Sequence, residues 1–216
     1  MLSPFDWQTL LTYCVAAIAL VISPGPGQAL VIARTIQGGT RAGVLTACGL
    51  QMGTLVHTLA ASVGLSAILA TSATAFAVVK YVGALYLVVL GILTLRSAWL
   101  VKEKPAPSTA ARRTSEKVLL VHALATGVLN PKVAIFFLAF LPQFVHPERG
   151  GVLLQFFVLG VILISIGLIG DSTVAWLAGH ARARFAANER LTRWRESITG
   201  AVLVGLGLHL ALGERR

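Results

Sequence analysis

Six apolar runs, five of them long enough to cross a membrane, constrain the fold of this chain more than any other feature of its sequence. The hydrocarbon core of a bilayer is about 30 Å thick, so a helix needs roughly 20 apolar residues to cross it. The runs cover residues 7–33, 43–69, 73–95, 119–145, 152–178 and 198–212. We therefore predict an all-α integral membrane protein with six transmembrane helices. The sixth run, at about 15 residues, crosses the membrane only if its flanks contribute or the protein is thin there.

The composition of the chain supports this class and excludes others. Charged residues make up 12% of the 216 residues, about half of the roughly 25% usual in soluble domains. Disorder requires low hydrophobicity and high charge, and a water-soluble globule cannot bury apolar runs of this length. Cys14 and Cys48 both lie inside apolar runs, and two cysteines are too few for a disulfide scaffold or a cysteine-based metal cluster. We expect no metal site and no cofactor.

Basic residues lie between the apolar runs rather than in one stripe. The formal net charge is +10, but without a basic stripe interleaved with aromatic residues we expect no nucleic-acid partner. The first, third and fifth connections hold 13 Lys and Arg residues, whereas the opposite side holds 3. Because excess positive charge stays on the cytoplasmic side of a membrane, this asymmetry predicts that both termini face outward.

Breaks rich in proline and glycine interrupt the first and fourth runs. They read Ser23-Pro24-Gly25-Pro26-Gly27 and Asn130-Pro131-Lys132. Inside a helix, proline costs about 3 kcal/mol and glycine about 1 kcal/mol relative to alanine. Hydrocarbon cannot satisfy the freed backbone groups, so unwound backbone persists only where protein buries it or a wet cavity solvates it. Two matched breaks favour a shared polar cavity; the alternative is two simple kinks absorbed by neighbouring helices.

Each break opens a set of three predicted helices, and this order predicts an internal repeat. Since three is odd, the two sets cross the membrane in opposite directions, as in transporters built from inverted repeats. We predict a single transmembrane domain over residues 1–216. It consists of repeat one at residues 5–98, a basic linker at residues 99–117 and repeat two at residues 118–213.

Asp171 is the one acidic residue deep within an apolar run. A carboxylate at the centre of a transmembrane helix costs about 2.5–3.5 kcal/mol, so it needs a basic partner, water or a proton. It shares a helix face with four small residues, Gly160, Gly167, Ala175 and Ala178. Small residues permit close helix packing, so we predict that Asp171 points into the bundle. Lys132 is its natural partner, in a structural ion pair or in a proton-linked site.

Two other polar side chains lie within the second run. His57 follows Gly49 and Gly53 on one helix face, where we expect close packing. It acts either as a satisfied hydrogen-bonding group or as a proton relay. Gln51 either lines the cavity or bonds to a neighbouring helix.

No catalytic motif is present in the sequence. It contains no Gly-x-Ser-x-Gly, no His-Glu-x-x-His and no Walker lysine. Two alternatives to transport stay open, a non-transporting membrane scaffold and an intramembrane enzyme. The enzyme would use Ser23, His57 and Asp171 as a hydrolytic set, although no oxyanion motif accompanies them.

Taken in order along the chain, several motifs resemble those of the LysE/RhtB amino-acid exporter family. They are Ser23-Pro24-Gly25-Pro26, Gly49-Leu50-Gln51-Met52-Gly53, Gly83-Ala84-Leu85-Tyr86-Leu87 with Gly91, Asn130-Pro131-Lys132 and Leu141-Pro142-Gln143-Phe144. Asp171 falls where such proteins often carry an acid. The resemblance covers essentially the whole chain, and the ordered set is far more specific than Pro-Gly-Pro alone.

This resemblance implies a secondary exporter in the bacterial inner membrane, driven by the proton gradient. In such a membrane, the charge asymmetry of the connections places both termini in the periplasm. The implied substrates are neutral or basic amino acids, such as threonine, homoserine or leucine, or their derivatives. Many relatives carry Asp or Asn directly after Pro-Gly-Pro, whereas this chain has Gly27 and then Gln28. If that position holds the substrate amine, then Gln28, Asp171 or backbone carbonyls replace it here.

These inferences define two sets of candidate site residues. The substrate-binding set is Ser23, Pro24, Gly25, Pro26, Gly27, Gln28, Gln51, Asn130, Pro131 and Lys132. The proton-coupling set is Asp171 and His57. The expected partners are an amino-acid substrate, protons and the lipid bilayer, and the residues leave open whether the chain forms a homodimer.

Overall fold

The computed structural model describes residues 5–71 and 115–180, with scattered helical positions between residues 74 and 96 and between residues 197 and 208. Every regular element within the two continuous ranges is helical. The helices Pro26–Leu65 and Val152–His180 are long and apolar enough to cross a membrane, and a bent pair adds a third candidate span. The chain is therefore a helical membrane protein, as predicted.

Several predicted features lie mainly outside the described residues. They are the third and sixth helices, most of the linker at residues 99–117, and the basic stretch after residue 180. The count of six crossings and the inverted relation between the two halves therefore stay predictions.

Helix α1, Trp7–Ile22, presents an apolar stripe to the outside. Asp6 caps its start, and the Asp6 carboxylate accepts a hydrogen bond of 2.7 Å from the Thr9 N–H. The exposed side chains recur every three or four residues and are Trp7, Leu11, Val15, Ile18 and Ile22. The opposite face, which includes Tyr13 and Leu20, is buried. In a membrane protein, an exposed apolar stripe of this kind faces lipid.

Helix α2, Pro26–Thr71, is interrupted at one residue, Gly39. A straight helix of 46 residues would be about 70 Å long, more than twice the thickness of the hydrocarbon core. Gly39 adopts φ 81° and ψ 178°, a conformation open essentially to glycine alone. The connection between the first two apolar runs is itself helical, at residues 34–38 and 40–42. The end of an apolar run marks the edge of the hydrocarbon core of the membrane. A helix can continue beyond that edge, because Arg, Gln and Thr are compatible with helical structure in water.

The second half of the described chain begins with a bent pair of helices. Helix α3, Glu116–Val128, is capped by Ser115, and helix α4, Pro131–Ile135, is capped by Asn130. The chain bends by 44° between them. After α4 it continues as a π-helical turn, Phe136–Phe140, and a 3₁₀ turn, Leu141–Phe144. The predicted interruption of the fourth run is thus present.

Helix α5, Val152–His180, matches the fifth predicted run to within two residues. It packs along α2 through small residues. A Cβ atom added at Gly167 would lie 2.7 Å from the Gln51 amide, and one added at Gly160 would overlap Thr58. The predicted inward face is confirmed, because Gly160, Gly167, Asp171, Ala175 and Ala178 are all buried.

Helices α2 and α3 approach as closely as their backbones allow. A Cβ atom at Gly53 would lie 2.7 Å from the Gly127 backbone, and one at Gly49 would lie 2.6 Å from the Ala123 side chain. The expected close-packed face of the second run is therefore present. Helices α1, α2 and α5 and the turns after α4 contribute to an aromatic core that contains Tyr13, Phe136, Phe140, Phe144 and Phe156.

Polar contacts close one end of the described bundle, beyond the apolar part of α1. Arg149 pairs with Asp6 at 3.2 Å, and the Gln155 amide donates to the carbonyl oxygens of Gly150 and His146. These contacts attach the start of α1 to the loop that leads into α5. The backbone N–H of Thr9, which donates to the Asp6 carboxylate, is the main cause of a lowered pKa at Asp6.

Candidate functional site

The two breaks lie side by side in the folded protein. The Lys132 ammonium donates a hydrogen bond of 2.6 Å to the carbonyl oxygen of Ser23. A Cβ atom added at Gly25 would lie 3.4 Å from Cδ of Lys132, and one added at Gly27 would lie 3.7 Å from Nδ2 of Asn130. The Ser-Pro-Gly-Pro segment and the Asn-Pro-Lys segment therefore form one joint site.

Local chemistry explains the first break. Helix α1 ends at Ile22, and Ser23 adopts extended torsion angles, φ −57° and ψ 129°, as expected for a residue before proline. Pro26 then opens α2, where its missing N–H costs nothing. The N–H groups of the next residues, Gly27 and Gln28, have no carbonyl one turn earlier within the helix. The positive end of the α2 dipole lies at this point.

The second break is stabilised by its own asparagine. Asn130 takes φ −75° and ψ 106°, and its Oδ1 accepts a hydrogen bond of 3.1 Å from the Lys132 N–H. Pro131 occupies the first helical position of α4. Asn130 thus ends one helix and caps the next, and it directs Lys132 toward the first break.

A cavity of about 70 Å³ lies between the breaks and helices α2 and α5. Its polar lining consists of Ser23, Gln28, Gln51, Thr54, Asn130, Lys132 and Asp171. A water molecule needs at least about 10–15 Å³, so several can enter. This is the environment in which unwound backbone is tolerated within a membrane.

Asp171 is held at the wall of this cavity by Gln51. Nε2 of Gln51 donates to the Asp171 carboxylate at 3.1 Å, and the absence of a side chain at Gly167 leaves room for the Gln51 amide. The Asp171 residue is 8% exposed. Gln51 therefore both lines the cavity and bonds to a neighbouring helix, which combines the two roles considered for it.

Two buried oxygen atoms of the cavity wall lack a hydrogen-bond partner among the described residues. They are Oγ of Ser23 and Oε1 of Gln28. Ser23 is fully buried, and Gln28 is 8% exposed. Because nearly all buried polar groups in native proteins are satisfied, each such exception calls for an explanation.

The structure brings eight of the predicted site residues to the cavity. They are Ser23, Gly25, Gly27, Gln28, Gln51, Asn130, Lys132 and Asp171. The three prolines, Pro24, Pro26 and Pro131, do not line it and act by shaping the breaks. Thr54 and Gly127 also line the cavity and were not predicted. Thr54 lies three residues from Gln51 on the same helix face, and Gly127 lies in the last turn of α3, three residues before Asn130.

His57 lies outside the cavity lining. Its Nε2 is 3.1 Å from the carbonyl oxygen of Val128, and its ring stacks on Phe137 with centroids 5.9 Å apart. Val128 ends α3, so its carbonyl has no partner within that helix. The contact satisfies a backbone group freed by the second break. The proton-relay role of His57 stays a prediction.

The hydrolytic set considered for an enzyme is not assembled in the described structure. His57 contacts the Val128 carbonyl, whereas Oγ of Ser23 has no hydrogen-bond partner within the described ranges. In those ranges, no group of three or more His, Cys, Asp or Glu residues is placed to hold a metal ion.

A helical membrane protein whose broken helices enclose a charged, polar cavity has the architecture of a transporter. The family described as LysE type translocator matches residues 18–214, and the chain belongs to this family. The family consists of transporters rather than enzymes, so the chain is a membrane transport protein. The resemblance inferred from the motifs is confirmed.

Individual relatives match most of the chain. An uncharacterized membrane protein of Pseudomonas aeruginosa is 33% identical over 93% of each chain. The homoserine/homoserine lactone efflux protein of Salmonella typhimurium is 32% identical over 81% of each chain. The leucine efflux protein of Salmonella choleraesuis is 27% identical over 93% of each chain. No solved structure matches the chain.

Proposed function

We propose that this chain exports an amino acid or a close derivative across the bacterial inner membrane, driven by the proton gradient. The observation that carries the proposal is one cavity lined by both Lys132 and Asp171, side chains of opposite charge, within a membrane protein. Ionisable groups inside the membrane are costly, and they mark substrate and ion pathways. A zwitterion carries the matching pair of charges. The efflux activities named for two relatives agree with this substrate class.

The carboxylate of the substrate meets the positive side of the cavity. Lys132 supplies a cation, and the first turn of α2 supplies the free N–H groups of Gly27 and Gln28 at the positive end of a helix dipole. Helix N-termini of this kind bind carboxylates in many proteins. Asn130 lies between them and can donate through its amide nitrogen.

The ammonium of the substrate meets the negative side of the cavity. Asp171 supplies the charge there, and Gln51 fixes the position of its carboxylate. In the transport cycle, the two repeats rock against each other and expose the cavity first to the cytoplasm and then to the periplasm. Protonation of Asp171 on the periplasmic side releases the ammonium, and loss of the proton on the cytoplasmic side restores the site. The orientation follows from the charge asymmetry of the connections, with both termini in the periplasm.

Transport in proteoliposomes tests this proposal with two variants and a control. Asp171→Asn is expected to retain exchange of substrate for substrate while losing accumulation driven by a pH gradient. Lys132→Met is expected to lose at least 90% of both activities. Arg41→Met is the control, because Arg41 is an exposed cation that pairs with Glu116 at 2.8 Å and does not line the cavity.

The outcomes distinguish proton-driven transport through Asp171 from the alternative of a non-transporting membrane scaffold. Proton-driven flux at the wild-type rate in a folded Asp171→Asn variant would reject the role of Asp171. If the wild-type protein moves no amino acid under any gradient, the scaffold alternative is favoured. Size-exclusion profiles and melting temperatures of all variants establish that each protein is folded.

A further inference from the structure

The two unpartnered oxygens of the cavity wall restrict which hydrogen-bonding groups a ligand of this cavity must carry. Oγ of Ser23 and Oε1 of Gln28 are buried and accept no hydrogen bond from any described residue. An amide oxygen can only accept, so the partner of Gln28 Oε1 must be a hydrogen-bond donor. Neither the Lys132 ammonium, which donates to the Ser23 carbonyl, nor the Asn130 amide reaches them.

A primary ammonium group provides the required donors. It carries three N–H bonds and no acceptor, and the wall of the cavity carries three side chains that can accept them. These are Oγ of Ser23, Oε1 of Gln28 and the carboxylate of Asp171. An ionised carboxylate can accept from the Ser23 hydroxyl, but it has no N–H or O–H to donate to Oε1 of Gln28, so it satisfies at most one of the two oxygens.

We propose that Ser23, Gln28 and Asp171 form a subsite for a primary ammonium group, and that this subsite selects substrates with an unmodified amino group. Asp171 supplies the charge, and Ser23 and Gln28 take the two remaining N–H bonds. Substrates in which the nitrogen is acylated or dialkylated leave one or both oxygens without a partner. Such a loss discriminates strongly between ligands, because a desolvated acceptor is then left unpaired in the complex. This inference rests on the proposed export of amino acids.

Competition with analogues tests the subsite in the wild-type protein. L-leucine and L-homoserine are the parent probes, and the parent that is transported is compared with its N-acetyl and N,N-dimethyl derivatives. The N,N-dimethyl derivative keeps the positive charge but has one N–H, so it separates hydrogen bonding from charge. We expect both derivatives to compete at least 10-fold more weakly than the parent.

Variants of the two oxygens provide a second, independent readout. Gln28→Met keeps the length of the side chain without the acceptor, and Ser23→Ala removes only the hydroxyl. We expect KM for the parent to rise about 10-fold or more in each, with a smaller change in maximal rate. We also expect the melting temperature of the ligand-free protein to stay level or rise, because an unpaired buried oxygen has been removed. The shift in melting temperature on adding the parent amino acid should shrink.

Thr58→Val is the matched control for these variants. The Thr58 hydroxyl is buried like Ser23, but it donates to the Thr54 carbonyl at 2.9 Å and lies outside the cavity lining. We expect its KM to equal that of the wild type. Derivatives that compete as well as the parent, or wild-type KM values in both Gln28→Met and Ser23→Ala, would overturn the subsite while leaving export intact. A wild-type protein that neither binds nor transports either parent would remove the proposed function and this inference together.

Discussion

Replacing Gly53 by alanine should separate helices α2 and α3, because the two backbones meet at this residue. A Cβ atom at Gly53 would lie 2.7 Å from both the Cα and the carbonyl carbon of Gly127. Carbon atoms in favourable contact lie about 3.5–4.0 Å apart, so the helices must move apart by about 1 Å. Overpacking of this kind costs about 1–3 kcal/mol. The second break begins just beyond Gly127, so the same shift should also move Asn130 and Lys132 away from the first break.

Gly64→Ala is the matched control for this prediction. Gly64 lies on the same helix, and a Cβ atom there would meet nothing within 4 Å. Both substitutions gain the same helix propensity of about 1 kcal/mol, so their difference isolates the packing cost. For a chain of this size, 1 kcal/mol corresponds to roughly 2–4 °C in melting temperature.

The assay is thermal unfolding in a mild detergent, together with transport in proteoliposomes. We expect Gly53→Ala to melt about 2–12 °C below Gly64→Ala and to transport more slowly. If the two variants melt within about 1 °C of each other, which is below the smallest difference expected here, then α2 and α3 do not meet at Gly53.

Two further predictions follow from particular contacts. Gly167→Ala places a Cβ atom 2.7 Å from the Gln51 amide, so it should displace Gln51 from Asp171 and shift the pH dependence of transport. A wild-type pH profile for this variant would contradict the positioning role of Gln51. Asp6→Asn should lower the melting temperature at neutral pH, because the Thr9 N–H lowers the pKa of Asp6 below its ordinary value of 3.8. That stabilisation is present above pH 3.8 and is lost as the pH falls through the lowered pKa, so the two proteins should melt alike in more acidic solution.

The sequence located both breaks because their cause is local. A proline within an apolar run removes a backbone N–H and clashes with the preceding turn whatever its neighbours are, and hydrocarbon cannot satisfy the backbone groups that it frees. The inward direction of Asp171 was equally accessible, since it follows from the small residues that share its helix face. Neither inference needed any knowledge of which helices are neighbours.

Other features depend on contacts between distant segments and were not predictable. The π-helical and 3₁₀ turns after α4 pack against α1, where the centroid of the Tyr13 ring lies 6.2 Å from that of Phe136 and 5.2 Å from that of Phe144. The His57 ring lies on the predicted face, but its partner is a carbonyl at the end of another helix. The unpaired oxygens of Ser23 and Gln28 became apparent only once the whole wall of the cavity was known.

Access of water to the cavity tests the central claim that the two broken helices enclose a substrate site. Val133 lines the cavity but is not one of the proposed binding residues. Ile169 on α5 serves as the control, because it is 68% exposed on the apolar outer face. In a protein from which Cys14 and Cys48 have been removed, a charged, membrane-impermeant thiol reagent should modify Val133→Cys and leave Ile169→Cys unmodified. The transported amino acid should slow the reaction at Val133→Cys. An unreactive Val133→Cys, or a reaction there that the amino acid does not affect, would contradict the account.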